Sequence, residues 1–125
     1  VNGGDVAKGD DIEERLIEFG VRIIVLTASL PKTIAGHHLG DQLLRSGTAP
    51  AAHYAEARGA ESRRDFIHKL KLALKELNES RIWLTMIVRS RLLPESRMQD
   101  ILGECDELCR IISPSATTTS GDKPR

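Results

Sequence analysis

Apolar residues recur every three to four positions along most of the chain, and polar punctuation divides them into four runs. In the first run, Ile12, Leu16, Phe19, Ile23 and Leu26 repeat at helical spacing. An Asp at position 10 or 11, followed three residues later by a Glu, predicts a capping box at its start. Ile17, Val21, Ile24 and Val25 widen the stripe, which predicts burial on more than one side. "VRIIVL" competes as a β-strand, but its acidic, non-alternating lead-in favours a helix. Pro31 closes the run.

The second run, from Gly36 to Ala57, places Leu39, Leu43, Leu44, Ala51, Tyr54 and Ala55 on a helix that Gly47 and Pro50 should weaken or kink. In the third, Ser62 is the expected cap, with Asp65 at the reciprocal position. Phe66, Leu70, Ala73, Leu77, Leu84 and Ile87 follow as the longest regular stripe, flanked by Ile67, Leu74 and Val88. At 1.5 Å per residue this run predicts roughly 45 Å of helix, longer than the others, with an end that projects or packs on another subunit. Pro94 suits the first turn of a fourth helix, whose core positions are Met98, Ile101, Leu102, Cys105, Leu108 and Ile112. Short connections make neighbours antiparallel. The expected fold is all-α, an up-down-up-down antiparallel four-helix bundle over residues 11–112. Composition assigns residues 1–10 and 113–125 to disordered tails.

A chain of 125 residues supports one domain with a modest core, and with one Trp, one Tyr and two Phe that core must be aliphatic. Eighteen basic and eighteen acidic side chains cancel, so overall charge supplies no steering toward nucleic acid. The distribution is uneven: Arg58 to Arg91 holds nine Arg or Lys against four Asp or Glu, and Val1 to Leu30 holds three against six. No apolar run approaches the roughly 18 to 20 residues of a membrane span, and no leader reads as a signal peptide. Cys105 and Cys109, spaced i,i+4, read as reduced thiols and point to a cytoplasmic protein without a membrane role.

The second run carries the densest chemistry. Its small residues, Ser46, Gly47, Ala49, Ala51 and Ala52, let another backbone come close, which predicts a packing and assembly seam. Arg45 and Glu56 lie about 16 Å apart along one helix, so each needs a partner elsewhere. Glu76 is the expected partner of Arg45, and Lys75 of Glu56. Buried, such pairs would be structural locks. His37, His38, His53 and His68 form no i,i+4 pair and there is no HExxH, so neither metal nor cofactor is expected. Glu56 and Glu76 lack the Glu-x-x-His pairs of di-iron bundles, and Ser46 has no neighbouring base, so no enzyme is expected. Arg58, Arg63, Arg64, Lys71 and Lys75 are the candidate phosphate contacts; with few aromatics for stacking, base-specific readout is not expected.

Gln42, Leu43, Arg45 and Ser46, then small residues and Pro50, then Ala55, Glu56 and Ala57 form a run with a known likeness, as does Phe66 followed by "ALKELNES" with Glu76. From Ile12 to Ile112 the chain resembles the small bacterial four-helix bundle proteins encoded in intervening sequences of large-subunit ribosomal RNA genes. Their distant structural relatives are the accessory variability subunits of diversity-generating retroelements. Ala49 and His53 depart from the Ser and Asn often found there. The resemblance implies a ring-like homo-oligomer, commonly a homopentamer, that binds nucleic acid or a nucleic-acid-processing protein, with no established reaction. A purely structural or protein-interaction oligomer is the competing expectation.

Overall fold

The computed structural model describes the backbone of residues 3–121 and the side-chain surroundings of residues 8–113. Within them the chain forms four α-helices: α1 Gly3–Ala28, α2 Ile34–Arg58, α3 Arg63–Arg89 and α4 Glu95–Gly121. Each helix packs on the next in sequence, while α1 and α4 meet only sparsely. The result is the up-down-up-down antiparallel four-helix bundle that four amphipathic runs with short connections dictate. "VRIIVL" is helical, with Ile23 and Leu26 directed into the core.

Local chemistry sets most of the boundaries. Thr33 caps α2, its hydroxyl accepting from the Gly36 amide at 3.1 Å. The chain reverses so tightly here that a Cβ on Gly36 would lie 1.9 Å from the Pro31 carbonyl oxygen. Ser62 caps α3 as expected, accepting from the Asp65 amide at 3.0 Å. Pro94 stands just before α4, and its carbonyl accepts from the Arg97 amide at 3.0 Å.

Three boundary expectations differ. Asp10 and Asp11 lie inside α1 rather than capping it, and the Asp10 carboxylate pairs with Arg58 instead. The helices also take in parts of both stretches that composition assigns to tails; residues 1–2 and 122–125 lie outside the described residues. Finally, α3 has 27 residues against 25 in α2, so it does not outrun the bundle. Its end is set by Arg91, which adopts φ 60°, while the amides of Arg91 and Leu92 bond back to the carbonyls of Val88 and Ile87.

The core follows the stripes: Leu16, Phe19 and Ile23 on α1, Leu43 on α2, Leu70, Leu77, Leu84 and Ile87 on α3, and Met98, Leu108 and Ile112 on α4 are all fully buried. Burial of α1 on a second side does not occur within the chain. Ile17, Val21, Ile24 and Val25 are 43 to 59% exposed on its outer face, and Leu44 and Ala55 of α2 also face outward. A single chain has only enough helices to cover one side of α1.

Candidate interaction surfaces

On α2 the small residues form a seam between helices of the one chain. Ser46, Gly47 and Pro50 are buried where leucines would stand in an ordinary stripe. A Cβ on Gly47 would meet Ile23 of α1 at 2.7 Å, so glycine is what permits the α1–α2 approach. Ala52 faces outward and Ala49 is half-buried. Toward α3, the Ser46 and Ser80 hydroxyls lie 2.8 Å apart, both wholly buried, and Ser80 donates onward to the Glu76 carbonyl at 3.0 Å. With the Ser80 proton committed there, Ser46 is the donor between them. Ser80 carries no signal in the sequence beyond its place at the end of "ALKELNES".

The Arg45–Glu76 pair forms, at 3.1 Å, and is not a buried lock: Arg45 is half-exposed. Its guanidinium also bonds Glu79, whose carboxylate accepts from Trp83 Nε1 at 3.1 Å, while Trp83 meets His38 edge-on. Glu79 escapes sequence reasoning because a Glu one turn after another carries no distinguishing pattern. Glu56 finds Lys69 at 3.3 Å rather than Lys75, since Lys69 lies near the α2–α3 turn and Lys75 one face away. That ammonium holds the Glu56 carboxyl below the ordinary carboxylate range. His53 Nδ1, buried and without a hydrogen bond, sits 3.5 Å from the same carboxylate.

The candidate phosphate contacts divide. Arg58 is occupied by Asp10 at 2.9 Å and Glu13 at 3.1 Å, which raise its pKa and tie the end of α2 to α1. Arg63 and Arg64 open α3, both exposed. Arg64, Lys71 and Lys75 are spaced by seven and four residues, so they form one exposed row along the outside of α3. None of these three makes an ion pair among the described residues. No group of three or more His, Cys, Asp or Glu able to hold a metal occurs among the described residues. No helix there is long and apolar enough to cross a membrane.

Residues 10–114 match the model of the 23S rRNA-intervening sequence proteins. The chain belongs to that family. A solved protein of unknown function from the S23 ribosomal protein family of Bacteroides thetaiotaomicron is similar over 88% of this chain and 98% of its own, with 32% identity and a TM-score of 0.79. No match was found among curated proteins. Membership agrees with the resemblance carried by Gln42 to Ala57, and the geometry explains part of that run: Ser46, Gly47 and Pro50 build the interhelical seam.

Proposed function

We propose that this family member is a non-enzymatic, cytoplasmic homo-oligomer that binds the nucleic-acid backbone through the outer face of α3. The observation that carries the reading is the row of Arg64, Lys71 and Lys75. It presents three cations without an ion pair among the described residues, over eleven residues or about 16 Å of helix, at a spacing suited to phosphates rather than to base edges. Ring symmetry repeats this row and concentrates its field, which a chain of zero net charge cannot do alone. The association of the family with intervening sequences of 23S rRNA, and of its solved relative with a ribosomal protein family, supports the same direction.

Self-association draws on the outer face of α1, where Ile17, Val21, Ile24 and Val25 stand exposed beside Leu44. The family resemblance implies five copies. Light scattering should give a multiple of the chain mass, and Val21→Asp should return it to a single chain; a monomeric parent protein removes the oligomer from the reading. Binding of mixed duplex and single strand, followed by anisotropy, should weaken steeply with salt. Lys71→Ala and Lys75→Ala should each flatten the log–log salt slope by about 1, as expected when one phosphate is no longer neutralised. No retention of either strand form at low salt removes the nucleic-acid half. The oligomer would then be a structural or protein-docking module, with a nucleic-acid-processing protein as the partner to seek.

A further inference from the structure

Two outer helix faces carry exposed apolar side chains. On α1 they are Val21, Ile24 and Val25, 46 to 59% exposed; on α3 they are Ile82 and Met86, 46 and 47% exposed. α1 and α3 stand diagonally in the bundle and do not pack on each other among the described residues, so neither face can cover the other within one chain. Both helices run the same way, because each is antiparallel to α2. On each, the apolar stretch occupies the second half and exposed charge precedes it: Glu14 and Glu18 on α1, Lys71 and Lys75 on α3.

The two faces also stand at the same height. Gly47 of α2 opens toward Ile23 of α1, and its neighbour Ser46 meets Ser80 of α3. Ile23 and Ser80 therefore lie within one residue, about 1.5 Å, of a common level along the bundle. A step of 57 residues, the separation of Ile23 and Ser80, takes Glu14 to Lys71, Glu18 to Lys75 and Val25 to Ile82. Acid is level with base, and valine with isoleucine. Copies related by rotation about an axis along the bundle preserve both level and direction. A closed ring with one heterologous contact repeated around it needs this match.

We infer that the outer face of α1 docks on the C-terminal half of α3 of a second copy, with Val21, Ile24 and Val25 against Ile82 and Met86. This docking rests on the self-association proposed above and adds the surface that receives α1. Charge orients it, since Glu14 and Glu18 approach Lys71 and Lys75 only when the two helices are parallel. Pairing α1 with α1 of another copy, antiparallel about Val21, would instead set each Glu18 carboxylate against Ile24. Ile82 lies eleven residues, about 16 Å, beyond Lys71. Helices that cross at about 20 to 50° separate by roughly 5 to 12 Å over that length, so the basic row lines the opening and stays accessible to phosphate.

The full chain with single substitutions, followed by light scattering, tests this contact. Val25→Asp spoils the α1 face and Ile82→Asp the receiving face, and each should fall from the parent's multiple to the mass of one chain. Mixed at high concentration, the two variants should form pairs of chains and nothing larger, since only one intact α1 face and one intact α3 face remain between them. In a Cys109→Ser background, with Cys105 buried, Val25→Cys together with Ile82→Cys should link copies into a ladder on mild oxidation. Val25→Cys alone should leave them unlinked. A parent protein of single-chain mass removes self-association itself, and this contact with it. An Ile82→Asp protein that keeps the parent's mass, or linkage through Val25→Cys alone, overturns the contact and leaves self-association standing. So does a mixture that stays unpaired while the double-cysteine chain forms no ladder.

Discussion

Between α2 and α3, two serine hydroxyls share a hydrogen bond in a wholly buried seam. Between α1 and α4, a partly exposed ion pair, Arg15 with Glu104 at 2.8 Å, accompanies a groove of about 290 Å³. Both are contacts between helices of one bundle, yet they rest on different physics. The first excludes water, so its polar groups must satisfy one another and its backbones must approach through glycine and serine. The second leaves water access to Glu18, Arg22 and Arg97, which line it beside Val21, Val25 and Ile101. The chain is therefore a bundle with one closed flank and one open edge, and part of the apolar surface that remains uncovered, Val21 and Val25 of α1, lies at that edge.

The largest way to break the contrast is at Gly47. Leucine there meets stiff, β-branched Ile23 rather than a flexible side-chain tip, so Gly47→Leu should cost about 1 to 3 kcal/mol or more. Urea denaturation reads this directly. Adding Ile23→Ala should recover part of the loss, and strictly additive costs would show that the two side chains do not compete for space. Ser80→Ala comes next: it leaves the Ser46 hydroxyl buried without its acceptor, at about 1 to 3 kcal/mol. The Ser46→Ala, Ser80→Ala pair should cost less than the sum of the single changes.

On the open edge the same kind of deletion should matter far less. Arg15→Ala should cost about 0 to 1 kcal/mol, shrinking as salt is added, because water already competes for both partners. An effect as large as that at Ser80 would mean the edge is as closed as the opposite flank. The smallest expected effect concerns acid. Glu56 titrates lower in the folded chain than unfolded, so its contribution is complete above the unfolded carboxylate value of about 4.3 and disappears as pH falls through the folded one. Glu56→Gln should lower stability slightly at neutral pH and leave it unchanged in acid, so that the acid limb flattens; steepening of that limb would reverse the sign.

Some of the candidate surface is legible in the sequence. Gly47 reads as a close-approach residue because a glycine amid an otherwise helical run costs stability unless something needs the space. Arg45 with Glu76 is readable because a polar pair on neighbouring helices needs opposite charges at matching depth. The choice of Lys69 over Lys75 for Glu56 is not, since both lie on α3 and only the rotation of α3 against α2 distinguishes them. Nor is the difference between the buried and exposed apolar faces of α1. Ile17 and Leu16 are equally hydrophobic, and which one meets the core depends on where the neighbouring helices stand.

What the sequence determined alone is whatever depends on spacing along one chain: four helices, the cap at Ser62, the break at Pro31, the core stripes and the pairing of neighbours through short turns. Tertiary structure decided which cations are paired, with Arg58 held by Asp10 and Glu13 while Arg64, Lys71 and Lys75 have no ion pair among the described residues, and which thiol of the α4 pair is the more deeply buried. Periodicity reports a direction around one helix axis. Burial and charge pairing depend on the distances between axes, and those exist only once the helices have docked.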